Sequence, residues 1–433
     1  MRYRFLGFML VLLLMLMACN EADSDDSSRG PRAELTQSTA PPPLVSTEDN
    51  ASADSTLPPD ATETATTDEP TATDETEIAL APRDYILGDD DAFVTIVMYG
   101  DFQSRRAARY ARDLEILRAE YPGELRLVWR HLPDTQSHDK AALAFRASEA
   151  AAAQGRFWDM HAILFTTQSE WLDLTPDAFR EELISYAAAA GFDVAQFEDH
   201  LDNPAYAELL EAYQQQAADL DIVGVPTLLV NGEPFSDRDV LYGLDGAMRL
   251  ALLARQHFDA APPMSLDLER DYFAVIQTSK GEIRIDLLEN DAPVSVNNFV
   301  FLAEQGWYDN TTFFLVVPEF YAQAGDPSAT GRGSPGYWIP GEHDNGYIFD
   351  QPGLVAMSHP PGEPDRAGSQ FFITYGPLPN HQTEWDRKYT VFGTVVSGIE
   401  VLEALTPRNP GDPLRFPNPP PGDRIETIRI EVE

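Results

Sequence analysis

The stretch GDFQSRRAARY, Gly100 to Tyr110, decides how the first half of the chain is read. Before it stands Phe93-Val94-Thr95-Ile96-Val97-Met98-Tyr99, an apolar, β-branched run of strand length that reads as a buried strand. After it, Ser104 to about Ala119 suits a helix. The stretch is therefore a handover from strand to helix, with Ser104, Arg105, Arg106 and Ala107 in the first helical turn. A Ser hydroxyl does not ionise near neutral pH, and an Ala side chain has nothing to ionise. Used as a nucleophile, Ser104 needs an adjacent base, and the sequence points to none; His131, His138 and His161 read as surface or packing histidines.

Outward from this stretch the pattern stays α/β. Leu125 to Trp129 reads as a second strand, and a long Ala-rich helical stretch runs from about Lys140 to Gln216, broken near Thr166 to Pro176 and at Gly191. Thr227 to Val230 is a further strand turned by Asn231-Gly232, and a helix fits Asp239 to His257. The Pro-Pro pair at Pro262-Pro263 marks a boundary. Beyond it, short strands with frequent Gly and Pro dominate: Phe273 to Thr278, Glu282 to Leu287, Val316-Val317, Phe371 to Ile373, Thr390 to Val396 and Ile425 to Val432. Helices fit Val294 to Gln305 and Ile399 to Leu405. Many strands with few helices predict a closed β-barrel.

The ends and the composition bound the function. The chain has 433 residues, room for two ordinary domains plus linkers, and a net charge of −41, which argues against nucleic acid held through its phosphates. Its single cysteine, Cys19, leaves no internal disulfide, no dithiol cycle and no cysteine zinc site, and no metal or cofactor is expected. Arg2 and Arg4 precede an apolar run, Phe5 to Met17, too short for a comfortable span of ~20 residues. Residues 20–83 are rich in Ser, Thr, Pro and acidic residues, which predicts a disordered, extended tether.

Leu16-Met17-Ala18-Cys19 resembles the lipobox of bacterial lipoproteins. The resemblance implies cleavage after residue 18, acylation of Cys19 and a lipid anchor in a bacterial cell membrane, with the folded part facing outside the cytoplasm. Residues 84–258 resemble the DsbA-like branch of the thioredoxin superfamily, through Tyr99 to Gln103, Gly155 to His161 and Gly224-Val225-Pro226-Thr227. That family follows Phe-Gln with Cys-x-x-Cys at a helix start, where a thiol pKa is lowered. Here Ser104 and Ala107 replace both cysteines, which excludes thiol–disulfide exchange and leaves a degenerate redox site. Val225-Pro226 resembles the family's cis-proline loop, retained either as structure or as a peptide contact.

Residues 272–433, after a linker at 259–271, resemble cyclophilins, the barrel-type peptidyl-prolyl isomerases. The carrying motifs are Ala292-Pro293 with Asn298-Phe299, Tyr308 to Thr311, Gln323 to Pro327, Gly331 to Tyr337, Gly368 to Thr374 and Val391-Phe392-Gly393. Gly331 to Gly336 also fits G-x-G-x-x-G, but no helix begins at its end, so it does not read as a dinucleotide loop. The resemblance implies a multidomain chain: an α/β thioredoxin-like domain with a helical insertion, then an antiparallel β-barrel with two capping helices. It implies X–Pro segments of unfolded or exported polypeptides as partners. Phe320, Phe372 and Phe392 match the apolar floor under the proline ring, and Gln323 the residue that orients the peptide. Tyr321, Ser358, Trp385 and Tyr389 match positions lining the cleft, while Phe371, alternating with Phe372, falls to the core. The family's Arg, which donates to the prolyl nitrogen, is replaced by Leu315; His359 and Arg366 are candidates to substitute for it. Two readings stay open: an isomerase with reduced activity, or a non-catalytic, chaperone-like binder of proline peptides.

Overall fold

The computed structural model describes residues 84–236, 242–412, 414–416 and 418–433. Cys19, the lipobox, the acidic tether up to residue 83 and the expected helix start at Asp239 lie outside the described residues. The apolar run forms β2 (Val94–Gly100), buried at every position. Its side chains divide between two faces: Val94, Ile96 and Met98 join the main core, while Val97 and Tyr99 join a second cluster with Val128 and Ala217. Both faces are covered, which is why the run does not alternate.

β2 is central in a five-stranded sheet of order β1-β3-β2-β4-β5, with β1 at Tyr85–Leu87, β3 at Leu125–His131, β4 at Thr227–Val230 and β5 at Glu233–Pro234. β3 runs parallel to β2 and β4 antiparallel to it. α1 (Arg105–Glu120) packs Leu114 and Leu117 into the main core. The Ala-rich stretch resolves into α2 (Ala141–Ala152), α3 (Phe157–Thr166), α4 (Gln168–Trp171), α5 (Pro176–Ala189), α6 (Val194–Leu201) and α7 (Ala205–Asp219). The breaks beyond those expected fall at Gly155, with φ +71°, and at Asn203-Pro204, where proline's missing N–H cannot continue a helix. α8 (Gly243–Leu253) closes this domain.

The second sheet has nine antiparallel strands. They are β6 (Tyr272–Thr278), β7 (Gly281–Leu287), β8 (Thr311–Thr312), β9 (Leu315–Val317), β10 (Tyr321–Ala324), β11 (Leu354–Met357), β12 (Phe371–Thr374), β13 (Val391–Ser397) and β14 (Arg424–Val432). Their order is β8-β14-β6-β7-β13-β11-β12-β10-β9. The two edge strands, β8 and β9, are separated in the chain only by Phe313 and Phe314, so the sheet curls back on itself. Its interior is filled by Ile276, Ile285, Val355, Phe371, Ile373 and Phe392, against Phe299 and Val296 of α9 (Pro293–Glu304). The short helices α10 (His381–Glu384) and α11 (Ile399–Glu403) complete the fold.

The two domains pack through α8 and the chain after it. Leu253 is buried within the barrel's core cluster. The Phe258 amide donates to Pro335 O at 2.8 Å, and its ring lies 5.0 Å from that of Phe301. Arg249 Nη1 donates to Ser328 O at 2.7 Å.

Candidate functional site

The handover after β2 is built from polar side chains that serve the backbone. Asp101, 1% exposed, accepts from the Gln103 and Asp134 amides at 2.7 and 2.9 Å and bonds His138 Nδ1 at 2.7 Å. Gln103 reaches Asp139 and the Lys140 amide. Ser104 is the N-cap of α1, its Oγ accepting from the Ala107 amide at 3.2 Å. Among the described residues no histidine is hydrogen-bonded to Ser104. His131 is enclosed by aromatic rings, with Trp129 Nε1 donating to its Nδ1 at 3.0 Å. His161 is faced by Phe102, Trp129, Trp158 and Phe165 at 4.8–5.6 Å, and burial, then the nearby His131, pulls its pKa down to about 3. The Val225–Pro226 bond is cis, and the register pairing Tyr99 with Thr227 sets Pro226 at the level of Gly100, beside this handover. Ser104, Ala107, Val225 and Pro226 thus share one end of the sheet, with no ionisable nucleophile among them.

The outer face of the curled sheet is a different kind of surface. Strand register aligns Ala356, Phe372, Gln323 and Leu315 in one row across β11, β12, β10 and β9. Alternation turns Phe372 outward and its neighbour Phe371 inward. Around Phe372 gather Tyr321 (5.3 Å), Tyr389 (5.5 Å), Trp385 (5.9 Å) and Phe349 (5.9 Å). Phe320 meets Trp385 edge-on at 5.3 Å, and Trp385 stacks on Tyr389 at 5.1 Å. The result is an aromatic cup with one polar edge. On that edge Gln323 Nε2 donates to Ser358 Oγ at 3.1 Å and to Gln370 Oε1 at 3.0 Å, fixing the amide's orientation. Burial raises the pKa of Tyr321 and Tyr389, so both phenols stay neutral at physiological pH. Among the described residues, the buried Trp385 Nε1 proton meets no acceptor.

Such a cup can take a small apolar ring out of water while Gln323 holds the adjoining peptide group. The structure brings Phe320, Tyr321, Gln323, Ser358, Phe372, Trp385 and Tyr389 together. Phe392 is a correction. It is fully buried inside the barrel, 5.1 Å from Phe299, because Val391 takes the outward position on β13. Leu315 stands directly across from Gln323, on the edge of the row. Neither candidate replacement donor is free. Both ring nitrogens of His359 lie against backbone carbonyls, of Pro360 and Lys388, each at 2.8 Å. Arg366 pairs with Glu363 and lies over Trp338.

Two residues of the site escaped the sequence reading. Gln370 lies two positions before Phe372 and so shares its face, a parity the sequence does contain. Phe349 comes from a loop rich in Gly, Asp and Pro, which carries no periodic signal. Before Phe320, Glu319 adopts φ +65°, the left-handed conformation that favours glycine.

Two family models match the chain: "Cyclophilin type peptidyl-prolyl cis-trans isomerase/CLD" over residues 273–429 and "Thioredoxin" over residues 80–246. A peptidyl-prolyl cis-trans isomerase of Synechococcus elongatus is 37% identical over 161 residues, 37% of this chain and 97% of that protein. One of Helicobacter pylori is 38% identical over 141 residues, 32% of this chain and 83% of that protein. A Na(+)/H(+) antiporter of Mycolicibacterium gilvum is 39% identical over 156 residues, 35% of this chain; the match spans only 24% of its length. The chain likewise covers 23% of a peptidyl-prolyl cis-trans isomerase-like protein of Cryptococcus neoformans. Among solved structures, a cyclophilin of Cryptosporidium parvum, determined in the presence of the dipeptide Ala-Pro, is 30% identical, with 37% of this chain and 98% of that one covered and a TM-score of 0.33. The chain belongs to the cyclophilin type peptidyl-prolyl cis-trans isomerase family through its C-terminal domain, which follows a thioredoxin-like domain.

Proposed function

We propose that this chain isomerises X–Pro bonds in unfolded or exported polypeptides, that its turnover is reduced by Leu315, and that the lipid on Cys19 holds it outside the cytoplasm. The observation that carries the reading is the row Phe372–Gln323–Leu315 beneath the aromatic cup. Rotation about the X–Pro bond meets a barrier of about 20 kcal/mol from amide resonance. Moving the bond from water into an apolar cup weakens the polar, resonance-stabilised form. A hydrogen bond to the prolyl nitrogen grows as resonance is lost and so favours the transition state over the ground state. The cup and Gln323 supply the first contribution and the orientation; the Leu315 side chain cannot supply the second.

The test is exchange NMR on a proline-containing tetrapeptide, comparing the chain with Leu315→Arg. Losing one transition-state donor typically costs about 100- to 1,000-fold, so the substitution is expected to raise kcat by about 100-fold. Unchanged exchange would mean that the cleft is not competent. The second reading, a binder without catalysis, is favoured by one observation: His359 and Arg366 are both committed elsewhere. Peptide shifts without faster exchange in the unmodified chain would establish it.

A further inference from the structure

The loop between β10 and β11 joins the two domains. Asp326 is fully buried and its carboxylate holds the loop in shape: it accepts from the Ser328 amide (2.8 Å), the Gly331 amide (2.7 Å) and the Gly333 amide (3.0 Å), and from the Ser328 hydroxyl (2.6 Å). A Cβ at Gly333 would lie 2.0 Å from Asp326 Oδ1, so that approach requires glycine. One side of the loop faces the cup. Gln370 Nε2 donates to Gly331 O at 3.1 Å and Gly333 O at 3.0 Å, and Gln370 Oε1 accepts from Gln323. The other side faces α8 of the thioredoxin-like domain. Arg249 donates to Ser328 O at 2.7 Å, while Asp245, one turn earlier, fixes the guanidinium at 3.1 Å and is itself fixed by Tyr121 at 2.7 Å.

The geometry points to Arg249 as a positioning residue for the isomerase site: the thioredoxin-like domain, without redox chemistry of its own, sets the orientation of Gln323 through the Asp326 loop and Gln370. The inference rests on the proposed isomerase reading. Gln370 has one amide group with which to hold both neighbours. If Ser328 O loses its charged donor, the loop carbonyls that fix the Gln370 NH2 group shift, and the Gln370 oxygen that fixes Gln323 shifts with them. Coupling through such a contiguous network takes a definite, measurable form, because two substitutions on one path are not additive.

The test uses the full chain, with a proline-containing tetrapeptide and glutamine-selective 15N labelling. Arg249→Ala is expected to move the Gln323 side-chain amide resonances and to weaken peptide binding and exchange about 5-fold or more, with Arg249→Lys recovering part of the loss. On a Gln323→Ala background, Arg249→Ala is expected to add nothing. If Arg249→Ala proves unstable, Arg249→Gln, which keeps most of the stem, carries the same comparison. Unmoved Gln323 resonances, or an equal loss on both backgrounds, would overturn the inference. If the unmodified chain accelerates no exchange while its Gln323 resonances and peptide affinity still respond to Arg249, the isomerase reading fails and the coupling stands.

Discussion

Single positions decide what this chain can do. Leu315 and Gln323 are cross-strand neighbours, so a donor at 315 would project beside the group proposed to hold the peptide. Parity along a strand accounts for the errors and successes in reading this site. Phe371 and Phe372 alternate in a four-residue strand, so their opposite fates were legible. Phe392 follows the same rule, but it neighbours another buried apolar residue, Val391, so alternation alone does not say which of the two faces the barrel interior. His161 carries a prediction at this scale. Its pKa is near 3 in the folded chain and near 6.5 unfolded, so between those values the unfolded state binds a proton that the folded state does not. Stability contributed by the neutral ring is fully present above about pH 6.5 and is lost as pH falls, by up to about 1.4 kcal/mol per pH unit. Urea titrations from pH 7 to pH 4 should show that slope, and His161→Phe should flatten it. An equal slope in the variant would assign the acid limb to other groups.

Elements show which local signals survived. β2 was readable because a long apolar run has few alternatives, and β3 because Leu125-Arg126-Leu127 alternates before Val128-Trp129. β10, Tyr321-Ala322-Gln323-Ala324, was not, because Ala and Gln have little strand preference and the segment becomes a strand by pairing with β9 and β12. α1 begins at Arg105, with Ser104 as its cap rather than in its first turn. Ser104 occupies the place of a family cysteine, yet its oxygen is spent on the Ala107 amide. Ser104→Ala should therefore cost about 1 kcal/mol of stability, read as a lower urea midpoint at constant m-value, and leave peptide exchange unchanged. A loss of exchange without loss of stability would give the degenerate redox site a function that its geometry does not suggest.

At the scale of the whole molecule, the two domains meet through Leu253, Phe258 and Arg249. The domain order was legible from the texture change near Pro262-Pro263. The packing of Leu253 into the barrel core and the clasp of Arg249 on Ser328 were not, because contacts between domains leave no periodic trace in either one. The cleft was legible as a set of motifs, whereas the contact of α8 with the loop beside it shows only in the fold. The central claim is that the aromatic cup on the outer face of the curled sheet binds X–Pro peptides and speeds their isomerisation. Phe320 is the most direct probe, since it is half-buried at the rim and its removal spares the barrel core. Exchange NMR of a proline-containing tetrapeptide should show cis–trans interconversion above the uncatalysed rate with the full chain, falling to that rate with a folded Phe320→Ala variant. Catalysed exchange that persists unchanged in Phe320→Ala would contradict the account and move the activity away from this cleft.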